Sequence, residues 1–250
     1  MQRYFVSEHD MKATVVEITG DDVKHISRVM RMQAGDEIIC SNNAGRTVQV
    51  SIEQIADDKV VGLIKAELEP HTELPIQVTI AQGLPKGDKL ELIVQKGTEL
   101  GVSHFQPYAA ARSIVKWEAK KAKKKVERLE KIAKEAAEQS YRERIPTVGE
   151  SISFGHLLKD AKGYTHVIVA YEEAAKSGEA SALTKVLNGV QKEDSLLVVI
   201  GPEGGLADSE VKELEDAGAI LCGLGPRIIR TETAPLYVMA AISYHLELMR

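Results

Sequence analysis

Two segments of this 250-residue chain bring together residue types that could do chemistry. The first, Leu196-Leu-Val-Val-Ile-Gly-Pro-Glu-Gly-Gly-Leu206, reads as a buried strand running into a glycine-rich loop and then a helix. In an open α/β sheet ligands bind beyond the C-terminal edge of the strands, and glycine there lets the backbone approach a ligand closely. The loop has no G-x-x-x-x-G-K-[ST] lysine and no G-x-G-x-x-G, and Glu203 would repel a polyphosphate, so a nucleoside-triphosphate enzyme is disfavoured. A carboxylate among glycines suits a ligand that carries positive charge or many polar hydrogens. The second segment, Leu221-Cys-Gly-Leu-Gly-Pro-Arg-Ile-Ile-Arg-Thr-Glu-Thr-Ala-Pro-Leu236, has Gly223 and Gly225 for a tight path and then Arg230, Thr231, Glu232 and Thr233 ahead of a helix. Thr231 or Thr233 serves as a helix N-cap, and Pro235 fits a first turn, where its missing N–H costs nothing. That account leaves Arg230 over, because the helix macrodipole disfavours a cation at that end. Arg230 is therefore read as functional. Glu232 has two readings, a chemical one and that of a carboxylate favoured at a helix N-terminus.

The elements that must position these residues differ along the chain. Residues 1–70 read as short strands (Thr14–Ile18, Glu37–Cys40, Arg46–Ile52, Lys59–Ile64) punctuated by Gly20, Gly35 and Asn42-Asn43-Ala44-Gly45, with one helix from near Asp21 carrying Val23, Ile26, Val29 and Met30. Many short strands in few residues predict a small barrel. Leu68–Pro75 is a linker, since each proline lacks a ladder N–H and biases its predecessor to extended geometry. From residue 74 to 250 strand and helix alternate: a strand at Ile76–Ala81, a helix at Leu84–Leu100 stopped by Gly101, a strand near His104–Tyr108, and a long helix from about Glu118 to Tyr141. Strands follow at Val167–Ala170 and Leu196–Ile200, then a helix near Asp208–Ala217, a strand at Ala219–Cys222 and a last helix from about Ala234. Continuous apolar strands in that alternation predict a parallel α/β sheet covered on both faces.

Composition sets the frame. At 44% hydrophobic and 28% charged, disordered, collagenous and coiled-coil classes are excluded. Cys40 and Cys222 stand far apart without a C-x-x-C or Cys/His run, so no disulfide framework or zinc site is expected, and no metal. Met1-Gln-Arg-Tyr-Phe-Val has no basic stretch before an apolar one, and no apolar run approaches the ~20 residues of a membrane span, so a cytoplasmic protein with no membrane partner is expected. Net charge is −5, yet Arg112–Arg144 holds 12 Lys/Arg against 6 Asp/Glu, a local +6 that leaves −11 elsewhere. That stripe is either a solvated helix face or the electrostatic footprint of a nucleic acid.

With both segments in view the chain resembles the RsmE family of SPOUT-class methyltransferases, which methylate N3 of a uridine in small-subunit (16S) ribosomal RNA. Leu-Leu-Val-Val-Ile-Gly-Pro-Glu-Gly-Gly followed by Leu-Gly-Pro-Arg-Ile-Ile-Arg-Thr-Glu-Thr-Ala carries the likeness. Arg3-Tyr-Phe, His25-Ile-Ser-Arg-Val-Met-Arg-Met and Lys89-Leu-Glu-Leu-Ile-Val-Gln-Lys-Gly-Thr-Glu-Leu-Gly-Val extend it over the whole chain. The resemblance implies a PUA-like β-barrel over residues 1–70 that binds RNA and a SPOUT α/β domain over 74–250 with a deep C-terminal trefoil knot. Periodicity alone would have led to an unknotted doubly wound sheet. It also implies S-adenosyl-L-methionine as methyl donor, S-adenosyl-L-homocysteine as product, a homodimer, and the 30S subunit as the setting of the substrate.

Residue by residue, the resemblance places the adenosyl group against backbone at Ile200, Gly201, Gly205, Leu221, Leu224 and Gly225; Ile229 is added to these as an apolar wall, Ala170 (followed by Tyr171 and Glu172) is expected to line the first knot loop, and Thr233 and Ala234 are expected to bind the cofactor. Glu203 either favours the sulfonium or holds a ribose hydroxyl. Arg230 would steady the uracil and Glu232 act as base or orienter. Arg3, Arg28 and Arg31 in the barrel, and Arg112, Lys116, Lys120, Lys121, Lys124 and Arg128 around the long helix, are the expected RNA contacts, positioning phosphates rather than reading bases. Trp117 is a stacking group for an unpaired base or a partly buried anchor of its loop. One departure is visible: where the family often has Ser in a Ser-x-x-Glu capping box this chain has Ala207 with Glu210, so Asp208 is expected to cap a helix that starts one residue later. A transfer-RNA enzyme on the same knot, and an RNA-binding relative without turnover, are the alternatives.

Overall fold

The computed structural model describes residues 1–176 and 181–249. The chain divides into two compact units, Met1–Glu73 with Lys134–Ile145, and Leu74–Ala133 with Pro146–Arg250.

The first unit is built on β1 (Gln2–Phe5), β2 (Val15–Thr19), β3 (Glu37–Ser41), β4 (Thr47–Ile55) and β5 (Lys59–Leu68), in the order β1-β3-β4-β5-β2. β1 runs parallel to β3 and the other pairs are antiparallel. Alternation decides the inward face: Val16 and Ile18 of β2, Ile38 and Cys40 of β3, and Val48, Val50 and Ile52 of β4 are buried together with Val23 and Ile26. Those last two lie on α1 (Asp21–Lys24) and the π turn His25–Val29 that continues it. Register shifts beside Gln49 and Ile52 bend the β4–β5 pair, as bulges do. The segment 134–145 joins this unit through polar contacts: Lys134 Nζ lies 2.6 Å from Asp22 Oδ2, the Phe5 amide donates to Glu138 Oε1 at 3.3 Å, and Arg142 pairs with Glu73.

The second unit holds a wholly parallel sheet. Its strands are β6 (Gln77–Gly83), β7 (His104–Ala109), β8 (Thr147–Val148), β9 (Ile152–Ser153), β10 (His166–Ala170), β11 (Ser195–Ile200) and β12 (Ile220–Cys222). The order is β12-β10-β11-β6-β7-β8, with β9 also on β7. The expected apolar strands are its centre: Leu196 to Ile200 are all buried, as are Val78, Ile80, Ala81, Ile168 and Val169. Around them run α2 (Lys89–Glu99), α3 (Ala119–Gln139), α4 (Phe154–Asp160), α5 (Glu172–Lys176), α6 (Ala182–Gly189), α7 (Asp208–Asp216) and α8 (Ala234–Ser243). Among the described residues no helix is long and apolar enough to cross a membrane.

The structure corrects three local expectations. The helix expected over 84–100 starts only at Lys89, because Pro85 has no N–H to donate and Gly87 turns the chain at φ +66°. Asp208 is not the cap of α7; Ala207 occupies that position, and the Glu210 carboxylate accepts from its N–H at 2.9 Å, the half of the capping box that needs no hydroxyl. α4, α5, α6, β1, β8 and β9 were not foreseen: most are a turn or two of chain, too short to show a period.

Candidate functional site

β10, β11, β12 and β6 are neighbours in one parallel sheet, so their C-terminal ends open at one edge. The register sets Ala170 opposite both Ile200 and Cys222, and Ile200 opposite Gln82. The loops that leave those ends, the glycine-rich loop and the 223–233 segment, enclose a cavity of about 930 Å³. That lies within the size range of small-molecule sites, at the place in an open parallel sheet where such sites form.

Close backbone packing shapes the walls. A Cβ on Gly201 would stand 3.0 Å from the Gly205 carbonyl carbon and the Leu206 nitrogen, and Gly205 itself sits at φ +69°. No larger residue makes that fold-back without displacing the loop. Three side chains hold it. The Thr231 hydroxyl donates to the Gly201 carbonyl at 2.6 Å and accepts from Gln82 Nε2 at 2.9 Å. The buried Tyr108 hydroxyl donates to the Ile200 carbonyl at 3.1 Å, and burial, with Glu210 nearby, pushes its pKa up, so it stays a donor. Thr231, read from sequence as a possible cap, thus ties the 223–233 segment to the glycine loop. Thr233 is the N-cap residue of α8, but its hydroxyl makes no capping bond to the helix.

Charged side chains line the cavity. Lys89 Nζ lies 3.0 Å from Glu203 Oε1 and 3.1 Å from Glu232 Oε2, and the Lys86 amide donates to Glu203 at 3.0 Å. Burial raises both carboxyls, but in Glu203 the Lys86 and local amides with Lys89, and in Glu232 its own amide, Lys89 and Arg230, outweigh it. Both stay below the usual carboxylate range and are ionised at neutral pH. The two carboxylates in turn hold the Lys89 ammonium above its ordinary value. Arg230 is exposed on the cavity wall. Arg112 also lines it, its guanidinium 3.4 Å from the Gly204 carbonyl and 3.6 Å from Asp208.

Of the residues singled out from sequence, Ala170, Ile200, Gly201, Glu203, Gly205, Leu224, Gly225, Ile229, Arg230, Glu232 and Ala234 line this one cavity. Leu221 and Thr233 do not: Leu221 is inside β12, opposite Val169, and Thr233 is exposed at the start of α8. Lys89, Gln82 and Thr231 are the site residues whose role sequence reading did not find. Lys89 lies in a segment that carries the family likeness, but a lysine on a helix looks like any solvated charge until its partners are known.

The basic residues separate by unit and by exposure. Arg28 and Arg31 are exposed in the first unit. Arg3 corrects the expectation: it is 3% exposed, donates to the Arg142 carbonyl at 2.5 Å and lies 5.3 Å from the centre of the Tyr141 ring, so it is an internal brace and not a surface contact. In the second unit Lys116, Lys120, Lys121, Lys124 and Arg128 are exposed. Arg128 is held by Glu91, with Nε and Nη2 each 2.7 Å from a carboxylate oxygen, and Lys121 pairs with Glu118 at 3.0 Å. Trp117 is half-buried, with Lys125 Nζ 5.5 Å above its ring. Among the described residues no three His, Cys, Asp or Glu side chains are grouped so as to hold a metal ion.

Known proteins resemble this chain along its whole length. Residues 72–243 match the family described as RNA methyltransferase domain, and residues 18–65 that described as RNA methyltransferase PUA domain. The chain is 51% identical over 253 residues to ribosomal RNA small subunit methyltransferase E of Bacillus subtilis (strain 168), covering 100% of this chain and 99% of the relative. It is 30% identical to the protein of the same name from Mycobacterium bovis, covering 96% of this chain and 90% of that one. The crystal structure of ribosomal RNA small subunit methyltransferase E from Neisseria gonorrhoeae bound to S-adenosyl methionine superposes with a TM-score of 0.83 at 28% identity, covering 97% of each chain. A parallel-sheet methyltransferase domain with its cavity at the carboxyl edge, joined to a PUA domain and matched end to end by these relatives, assigns the chain to the ribosomal RNA small subunit methyltransferase E family of RNA methyltransferases.

Proposed function

We propose that this chain transfers the methyl group of S-adenosyl-L-methionine to N3 of a uridine in small-subunit (16S) ribosomal RNA, acting in the cytoplasm as a homodimer on the assembled 30S subunit, with the end of its second unit tied in a trefoil knot. The observation that carries the reading is the cavity bounded by the 200–206 and 224–234 segments, in a chain 51% identical over its whole length to a ribosomal RNA small subunit methyltransferase E. The walls fit such a donor: glycine backbone and the aliphatic side chains of Ile200, Leu224 and Ile229 suit an adenosyl group, and a rim bearing Glu203 and Glu232 suits a sulfonium cation. When bound, the cofactor supplies a methyl carbon activated by that positive sulfur.

The chain's own residues then have three tasks. Backbone at Ile200, Gly201, Gly205, Leu224 and Gly225 holds the adenosyl group, with Ala170, Ile229 and Ala234 closing around it. Arg230, exposed on the wall, pairs with the uracil carbonyl oxygens as negative charge develops on the ring. Glu232, ionised and facing the cavity, accepts the N3 proton. Loss of that proton would leave the N3 lone pair available to the activated methyl group, and Glu232 would then release the proton to water. Positioning of N3 in line with the methyl carbon supplies much of the rate. Leu221 and Thr233 contribute only through the segments they belong to. Arg28, Arg31, Arg112, Lys116, Lys120, Lys121, Lys124 and Arg128 contact RNA phosphates, with Arg28 and Arg31 in the RNA-binding PUA-like unit.

The test offers methyl-labelled S-adenosyl-L-methionine with unmethylated small subunits, their extracted RNA or bulk transfer RNA, and reads modified nucleosides by mass spectrometry. The expected result is label in 3-methyluridine from the subunits. Label in transfer RNA alone would overturn the substrate, and cofactor binding without label on any RNA would overturn the enzymatic reading.

A further inference from the structure

Lys89 is the first residue of α2, where the helix macrodipole opposes a cation. What compensates it is a pair of carboxylates from two different loops: Glu203 of the glycine loop at 3.0 Å and Glu232 of the 223–233 segment at 3.1 Å. The two partners are not equivalent. Glu203 is also held by the Lys86 amide at 3.0 Å, whereas Lys89 is the side-chain partner that orients Glu232, with Arg230 adding only its field. All three charged groups line the cavity, and Glu232 is the least exposed of them at 15%.

We propose that Lys89 is a positioning residue for methyl transfer, its ion pair holding the Glu232 carboxylate over the cavity while its second ion pair, to Glu203, ties the two loops together. The inference rests on Glu232 being the proton acceptor. Sharing one ammonium between two carboxylates has a chemical use. When Glu232 takes the N3 proton and becomes neutral, Lys89 keeps a full counter-charge in Glu203, so no unpaired cation is left in the wall. When the proton leaves, attraction to the Lys89 ammonium draws Glu232 back to its starting orientation. The charged groups facing Glu232 are Lys89 from α2, Glu203 behind it and Arg230 on its own segment, and Lys89 is the one in contact.

The experiment compares full-length wild type, Lys89→Met, Lys89→Arg, Glu232→Gln and the Lys89→Met/Glu232→Gln double variant on unmethylated small subunits. It records kcat, KM for the cofactor, the pH–rate profile, cofactor Kd and Tm. Lys89→Met is expected to lower kcat by about tenfold to a hundredfold, the cost of a misplaced reacting group. Its cofactor KM should change little, and its acid limb should move to higher pH because Glu232 loses its cation. Lys89→Arg, able to bridge the same carboxylates, should restore most of the rate. The double variant should be no slower than Glu232→Gln alone. A lowered Tm with an unmoved acid limb would reduce Lys89 to a structural brace and overturn the proposal, as would a double variant slowed by the product of the single effects. Glu232→Gln at wild-type kcat would remove the reading beneath it. Glu232→Gln slow with Lys89→Met unimpaired would remove Lys89 alone. If Lys89→Met fails to fold, Lys89→Gln carries the same measurements.

Discussion

Arg230 stands just ahead of α8 with its backbone carbonyl accepting from the Thr233 and Ala234 amides, and its exposed side chain lines the cavity wall. A cation at that end of a helix is unfavourable on local grounds, and in the proposed function it gains its use from a uracil that becomes anionic. Arg230→Ala should therefore cut kcat on small subunits by roughly a hundredfold or more, the usual cost of removing one preorganised donor to developing charge. Cofactor Kd, measured by calorimetry, should stay near wild type. Near-native turnover would take Arg230 out of the chemistry. Thr231 beside it serves differently: its hydroxyl spans the Gly201 carbonyl and the Gln82 amide, so its neighbours in sequence reach the cavity as one piece with the glycine loop.

At the scale of the element, α3 shows how one helix serves two environments. Its lysine-rich first half is exposed, while its last turns carry Lys134 and Glu138, whose charges are drawn into the first unit. Burial pushes the Glu138 carboxyl up to about 7, with Lys134 and the Phe5 amide opposing and Asp22 adding to the rise. A carboxyl whose folded pKa is raised favours the folded state fully below its unfolded pKa, near 4.5, and loses that contribution as pH climbs through about 7. Stability from this group thus falls between pH 4.5 and 7. Glu138→Gln should flatten that fall, so that the variant gains on wild type at pH 8 relative to pH 5 in urea denaturation. An identical pH dependence in the two proteins would show that Glu138 ionises without strain.

For the molecule as a whole the useful quantity is where charge lies, not its sum. A chain of net −5 would be repelled by RNA if its charge were uniform, but Arg112–Arg144 concentrates +6. Replacing Lys120, Lys121 and Lys124 by Ala removes three exposed charges and keeps good helix formers in α3. RNA affinity should fall at low salt, and the slope of log K against log salt should lessen by about 2 to 3, as three phosphate contacts require. Cofactor Kd should not change. An unaltered salt slope would make this face merely solvated.

Much of this was legible in the chain itself. Leu196–Ile200 had to be a buried strand, the glycines after it had to form a tight loop, and Arg230 was left over by every local rule, because periodicity, turn chemistry and the helix dipole act within a few residues. Arg3 and Arg28 show where that reach ends: both are arginines near short strands, yet one braces the Arg142 carbonyl in the interior and the other lies in solvent. Lys89 shows it again. Nothing within α2 says that its ammonium meets Glu203 and Glu232, since the parallel sheet alone brings the ends of β6 and β11 side by side. Sequence determined which residues could do chemistry and which elements carry them. Tertiary structure decided their pairings and their burial, because a charge takes its partner and its dielectric surroundings from whatever the fold sets within a few ångströms, however distant along the chain.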